Sequence, residues 1–247
     1  SKSKYNWLLF TDVDCRVGKN WCLEISKTFC KGNYIVGFST VKKSNSLASK
    51  FQHIDFQILM VSALSAVALK TPLACIGQNQ AYNKNLFIKN RGYSKIKNIL
   101  QGDDSIFMHL CRRNKECKVT YSFHKDSFVS AKTHSNWKDL ILQRTRWAGD
   151  ANIMWKYNKL LYLISVSTFY SNLIFIILVI TSNFKVLISL LLIKYTFEYL
   201  LYILSCKKLN DNIDNILFQI WFILQIPYII IVGLGSFYAS NLKWKGR

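Results

Sequence analysis

The segment YNWLLFTDVD, residues 5–14, decides how the rest of the chain is read. Its first six residues make a short apolar run with β-formers, interrupted only by Asn6, and stop abruptly at Thr11-Asp12-Val13-Asp14, the pattern of a short buried strand with an acidic pair at its carboxyl end. Open α/β sheets hold their ligands at that edge. Two carboxylates one residue apart can turn toward one divalent cation, and Mg2+ and Mn2+ prefer oxygen ligands and take few of them from protein. Acidic residues also end many ordinary strands, so TDVD alone fits a plain strand terminus equally well.

Working outward, residues 18–31 predict a helix, Tyr34 to Ser39 (YIVGFS) a strand, and residues 47–70 a second helix. The strongly apolar part of that helix, Ile58 to Leu69, falls short of the roughly 18–20 residues a bilayer span needs, and Lys70 and Pro72 close it, so a buried or interfacial helix is expected. Ala74 to Tyr82 (ACIGQNQAY) predicts a strand followed by a turn, and Leu86 to Gly92 a short helix. Asp103 and Asp104 stand just before a helix over 105–112, where capping and the helix dipole alone would account for them. Cys117 to Phe123 predicts another strand. Strands alternating with helices define an α/β domain.

From Asn136 to Ala151, the apolar residues Trp137, Leu140, Ile141, Trp147, Ala148 and Ala151 recur at helical spacing, giving one apolar and one charged face suited to a membrane interface. Three apolar segments follow, about 160–181, 184–205 and 216–239, each of bilayer-spanning length with Tyr and Trp near the ends. Lys194 and Glu198, four residues apart in the middle segment, are expected to pair or to face the bundle interior. The expected organisation is a catalytic domain over 1–151, ending in the interfacial helix, and a membrane region over 158–240 with two or three transmembrane helices.

The formal net charge of +20 in 247 residues permits an anionic substrate or membrane surface. Nucleic acid is not expected, because no basic run is interleaved with stacking aromatics in a recognisable module. The basic domain and Lys207-Lys208 belong on the cytoplasmic side by the positive-inside rule, whereas Lys243, Lys245 and Arg247 conflict with it if all three segments span. The seven cysteines show no zinc-type pairing, and the four scattered histidines form no HxxxH pair, so free or buried thiols and no His-based metal site are expected. No cleavable signal peptide opens the chain, and its first strand reads like an interior strand of a sheet already begun.

Sugar transfer from a nucleotide diphosphate needs positive charge at the phosphates and a base for the acceptor hydroxyl. Asp103-Asp104 at a helix start can supply the base. Arg146, in Gln143-Arg144-Thr145-Arg146-Trp147, offers a guanidinium fork to a pyrophosphate beside an indole that can stack on a sugar. TDVD (11–14), GQNQAY (77–82), GDD (102–104) and QRTRW (143–147), in that order and followed by membrane helices, resemble the family 2 glycosyltransferases, the group that includes cellulose, chitin and hyaluronan synthases and smaller bacterial relatives.

The resemblance implies a GT-A fold, Rossmann-like α/β, using a nucleotide-diphosphate sugar with Mg2+ or Mn2+ and inverting the anomeric centre. It implies Asp14 as metal ligand, Asp12 as metal or donor contact, and Asp104, beside Asp103, as general base. Arg146 would hold the pyrophosphate, and Gln143 and Trp147 would shape the acceptor site, with Asn79 a polar contact on the acceptor side. The family's upstream βαβ portion, which holds the nucleotide base, has no counterpart in these residues, so an incomplete domain with weak or absent activity by itself is expected. The resulting expectation is a multi-pass enzyme of the cytoplasmic membrane acting on a glycan or lipid acceptor. A non-catalytic membrane scaffold of the same fold is the alternative, and a transport protein is disfavoured by spans polar only at Lys194 and Glu198.

Overall fold

The computed structural model describes residues 3–97 and 102–239, and its contacts divide the chain into two compact units. One comprises residues 1–42, 59–133 and 156–158, the other 43–58, 134–155 and 159–247. This differs from the boundary expected at 151: residues 43–58 and 134–155 belong with the apolar helices. The expected tail charges Lys243, Lys245 and Arg247, and residue 240, lie outside the described residues.

The first unit is built around β1 (Trp7–Phe10), β2 (Arg16–Val17), α1 (Trp21–Ser26), β3 (Tyr34–Gly37) and β4 (Ser39–Val41). After the helix α2 (Leu47–Ala68), inside which the division between units falls, come β5 (Gln80–Asn83), α3 (Lys84–Lys89), α4 (Asp103–Arg112), β6 (Val119–Ser122) and β7 (Val129–Ala131). The main sheet has the order β1-β5-β3-β6, and a smaller sheet the order β2-β7-β4. β5 runs antiparallel to both β1 and β3, and β3 runs parallel to β6. β1, β3 and β6 therefore point the same way, and their carboxyl ends share one edge with the start of β5, where Gln80 pairs with both Phe10 and Val36. β3 is buried along its whole length, as its unbroken apolar run requires.

Two local expectations are corrected. The helix expected over 18–31 is confined to α1, because the Ser26 and Thr28 hydroxyls donate to the carbonyls of Leu23 and Ile25 at 2.7 and 2.6 Å, ending it in turns. In the 74–82 segment the order is reversed: the turn at 77–79 comes first and the strand follows as β5.

The reversal has a single cause. Asn79 is completely buried. Its Nδ2 donates to the carbonyls of Phe38 and Ser127 at 2.7 and 2.9 Å, and its Oδ1 accepts from Trp21 Nε1 at 3.1 Å. Gly37 lets it in: a Cβ at that position would sit 2.3 Å from the Asn79 carboxamide carbon. Asn79→Ala strands one indole donor and two carbonyls in the interior, so we expect a loss of about 3 kcal/mol. Thermal unfolding in detergent measures it, and an unchanged midpoint would refute the role.

The second unit contains α5 (Trp137–Ile153), α6 (Lys159–Ile180), α7 (Phe184–Leu209) and α8 (Asn215–Ser236), together with the first part of α2. Its core joins Phe51 and Ile54 of α2, Leu140 of α5, Tyr202 and Cys206 of α7, and Leu217, Phe218 and Trp221 of α8. Asn136 caps α5 by accepting from the Asp139 amide at 2.9 Å. The apolar face of α5, whose pattern suits a membrane interface, packs on α8, where Asn152 donates to Ser236 at 3.2 Å.

Among the described residues, four helices are long and apolar enough to cross a membrane: α2, α6, α7 and α8. α2 starts at Leu47 as expected and qualifies over its full length rather than over Ile58 to Leu69 alone, yet 50% of its apolar window is buried by protein, against 11% for α6 and for α7. In α7, Lys194 donates to Glu198 at 2.5 Å, and Gln225 of α8 donates to the other Glu198 oxygen. The charges expected to pair do so, with an amide completing the cluster. All seven cysteines are free thiols.

Candidate active site

The carboxyl end of β1 leads into a tight turn in which the Cys15 amide donates to the Asp12 carbonyl at 3.1 Å. That turn brings Asp12, Asp14 and Cys15 together, with one ligand atom from each within 4.8 Å of the others. Asp12 and Asp14 are exposed and Cys15 half-buried. Burial pushes the Cys15 thiol up to about 11, and the neighbouring charges of Asp12 and Asp14 push the same way, so it stays a neutral thiol. The oxygens are the usable ligands, which is the donor set that Mg2+ and Mn2+ select.

Gln78 adjoins this group. Its carbonyl oxygen accepts from the Cys15 thiol at 3.5 Å, while its Nε2 is buried without a hydrogen-bond partner among the described residues. A buried amide donor left unpaired carries a desolvation cost that a ligand oxygen would relieve. Carboxylates for a cation beside a donor for an anion suit a metal-bound diphosphate. Sequence reasoning chose Asn79 from this strip and passed over Gln78. Asn79 is corrected: buried, with its polar atoms spent on Trp21, Phe38 and Ser127, it has nothing to offer an acceptor.

The aspartates expected just ahead of a helix lie inside the first turn of α4. Gly102 precedes them with φ 71°, a left-handed conformation that glycine adopts without strain. Asp103 is exposed. Asp104 is pinned: its Oδ2 accepts from the Gly77 amide and its Oδ1 from its neighbour Ser105, both at 2.6 Å. The Ser105 hydroxyl bridges to Cys75, accepting from its amide at 3.1 Å and donating to its carbonyl at 3.0 Å, which staples the strip before β5 onto the start of α4.

Burial pushes the Asp104 carboxyl up to about 6, aided by the charges of Asp103 and Asp12 and opposed by the Ser105 and Gly77 amides. Asp12 and Asp104 therefore share one electrostatic field. A carboxyl tuned to about 6 is poised to take a proton near neutral pH.

A second acidic group, Glu24, His124 and Asp126, already has cationic and amide partners, Lys27 Nζ at 2.6 Å from Glu24 and Asn20 Nδ2 at 3.2 Å from Asp126. It contains none of the motif residues.

In the helical unit, α5 carries Gln143, Arg146 and Trp147. Gln143 lies beside His134, Arg146 is half-buried next to Asp150, and Trp147 is 36% exposed. The arginine most deeply buried in this motif is Arg144, which sequence reasoning did not single out; the 3.6-residue period places it on the inward face, but nothing local marks its partner.

A sheet whose parallel strands end in a carboxylate turn, with a pinned acid at a neighbouring helix start, places these groups at the edge where open α/β sheets bind their ligands. The sequence matches the family model described as glycosyl transferase family group 2 over residues 7–234, and the chain belongs to that family. No curated protein matches the chain.

Proposed function

We propose that this glycosyltransferase moves a sugar from a nucleotide-diphosphate donor to a hydroxyl of a glycan or lipid acceptor, with inversion, at the cytoplasmic face of a membrane. The observation that carries the reading is the pinned Asp104, raised to about 6 and coupled to Asp12. In the reaction the acceptor oxygen attacks C1 on the face opposite the leaving group. The C1–O bond to phosphate breaks as the new glycosidic bond forms, and Asp104 takes the hydroxyl proton. Its two amide contacts leave lone pairs on both oxygens and keep the carboxylate from turning away.

Asp12 and Asp14 would hold Mg2+ or Mn2+, which would supply positive charge against that developing on the diphosphate. Gln78 Nε2 offers a hydrogen bond to the donor, and the charge of Asp103, exposed in the first turn of α4, helps keep the neighbouring Asp104 carboxyl raised for its role as base. Arg146 grips the pyrophosphate, and Gln143 and Trp147 meet the acceptor. Arg146→Lys replaces a fork by a point charge, so donor KM rises about tenfold. Steady-state kinetics checks it, and a wild-type KM would remove Arg146 from the donor site.

The membrane role of α6 and α7 rests on their apolar surface, little of which is buried by protein. α8 completes the anchor, and α2, half covered by protein, lies at the interface. Lys207 and Lys208 in the last turn of α7 mark a cytoplasmic loop.

The reading is tested by incubating the purified chain in lipid nanodiscs with UDP- and GDP-sugars and Mg2+ or Mn2+. Metal-dependent release of nucleotide supports it. Folded, inserted protein that neither binds nor turns over any donor, both as this chain and with an upstream βαβ portion of the kind the family resemblance implies joined to it, refutes it.

A further inference from the structure

Arg144 is 4% exposed, and its guanidinium meets Asp55 of α2 at 2.7 Å. Its CZ lies 4.2 Å from the centroid of the Trp147 ring and 5.8 Å from that of Phe56. The Phe56 and Trp147 rings are themselves 6.3 Å apart. The cation thus lies among two aromatic rings, one carboxylate and the Tyr228 hydroxyl, all within the helical unit.

Burying a guanidinium is costly unless a counterion accompanies it, and removing one partner of such a pair leaves an uncompensated interior charge. Without Asp55, Arg144 would be drawn toward water, and the indole would lose the cation that lies over its ring. A planar guanidinium matches an aromatic face in a way an ammonium does not. Trp147 keeps about a third of its surface exposed while this contact backs it, the arrangement of a side chain held in place to present a ring to a ligand.

We propose that Asp55 and Arg144 are positioning residues that set the orientation of the Trp147 indole. They act through Trp147 and do not themselves meet a substrate. The consequence for acceptor binding rests on the acceptor role given to Trp147 above, whereas the positioning itself does not.

The experiment uses the whole chain in nanodiscs. Each variant is paired with its own Trp147→Phe version, so that the difference in fluorescence isolates Trp147, and acrylamide quenching reports how accessible the ring is. Asp55→Asn and Arg144→Lys are expected to raise the quenching constant about twofold as the guanidinium over the ring is lost or replaced. Asp55→Glu, which keeps the counterion, is expected to restore it. With acceptor present, Asp55→Asn raises acceptor KM about tenfold at unchanged donor KM, and adds nothing once Trp147 is Phe.

Unchanged quenching in both Asp55→Asn and Arg144→Lys overturns the proposal, and so does an Asp55→Asn effect confined to thermal stability. Arg144→Lys retains the charge and the fold if Asp55→Asn does not express, and then decides alone. Raised quenching together with a Trp147→Phe variant of wild-type acceptor KM supports the positioning pair and removes Trp147 from the acceptor site, which separates the two claims.

Discussion

Asp104→Asn is expected to lower kcat for sugar transfer by about a thousandfold, within the range a positioned general base contributes, while leaving the donor's dissociation constant within about twofold of wild type. The substitution is close to isosteric, and its carbonyl oxygen can still accept one of the two amides, from Gly77 or Ser105, that now hold the carboxylate. The fold should tolerate it for a second reason. A carboxyl raised in the folded state favours folding only while it is protonated, and that contribution is lost as pH rises through about 6. At pH 7 the native carboxylate is already a buried charge at a cost, so a neutral amide removes a penalty as well as a hydrogen bond.

The same shift predicts the pH profile. The base works as the carboxylate, so transfer in the native protein falls as pH drops through about 6, approaching tenfold per unit below it. Residual transfer by Asp104→Asn should lack that limb. Equal loss of donor binding and turnover, or an acid limb that survives the substitution, would take the base role from Asp104.

Asp14→Ala is expected to weaken metal-dependent donor binding by about a hundredfold, because outer contacts cannot replace a carboxylate ligand in a site with so few. Asp14 and Asp12 are exposed at the end of β1, held by a turn whose closing hydrogen bond runs between backbone atoms, so trimming the Asp14 side chain leaves the loop in place. A chelator should bring wild-type protein to the level of the variant, and Mn2+ added back should rescue only the wild type. Calorimetric titration with a nucleotide-diphosphate sugar, with and without metal, reads both effects. Unchanged metal-dependent affinity in Asp14→Ala would move the ion elsewhere.

Much of the fold was legible along the chain. β1 and its acidic end, the buried strand β3, and the long apolar helices each follow from the side chains of neighbouring residues and their period. In the 74–82 segment the order of strand and turn is not legible because Asn79 answers to Trp21, Phe38 and Ser127, which are remote in sequence, and those bonds help turn the chain before the strand starts. In QRTRW the spacing drew attention to Arg146, yet the buried guanidinium belongs to Arg144, whose partner Asp55 sits on another helix. The amphipathic period of α5 foretold an apolar face, and α8 takes up part of it.

What the sequence by itself determined was the set of elements, the order of the acidic and basic motifs, and the long apolar segments that require burial or lipid, because propensity and periodicity are properties of adjacent residues. Only the tertiary structure decided which groups are spent and which remain for chemistry: Asn79 consumed in the interior, Gln78 left with an unpaired donor, Asp104 pinned and raised to about 6. Hydrogen-bond satisfaction and desolvation depend on what the fold brings alongside each side chain, and that is not written in its neighbours.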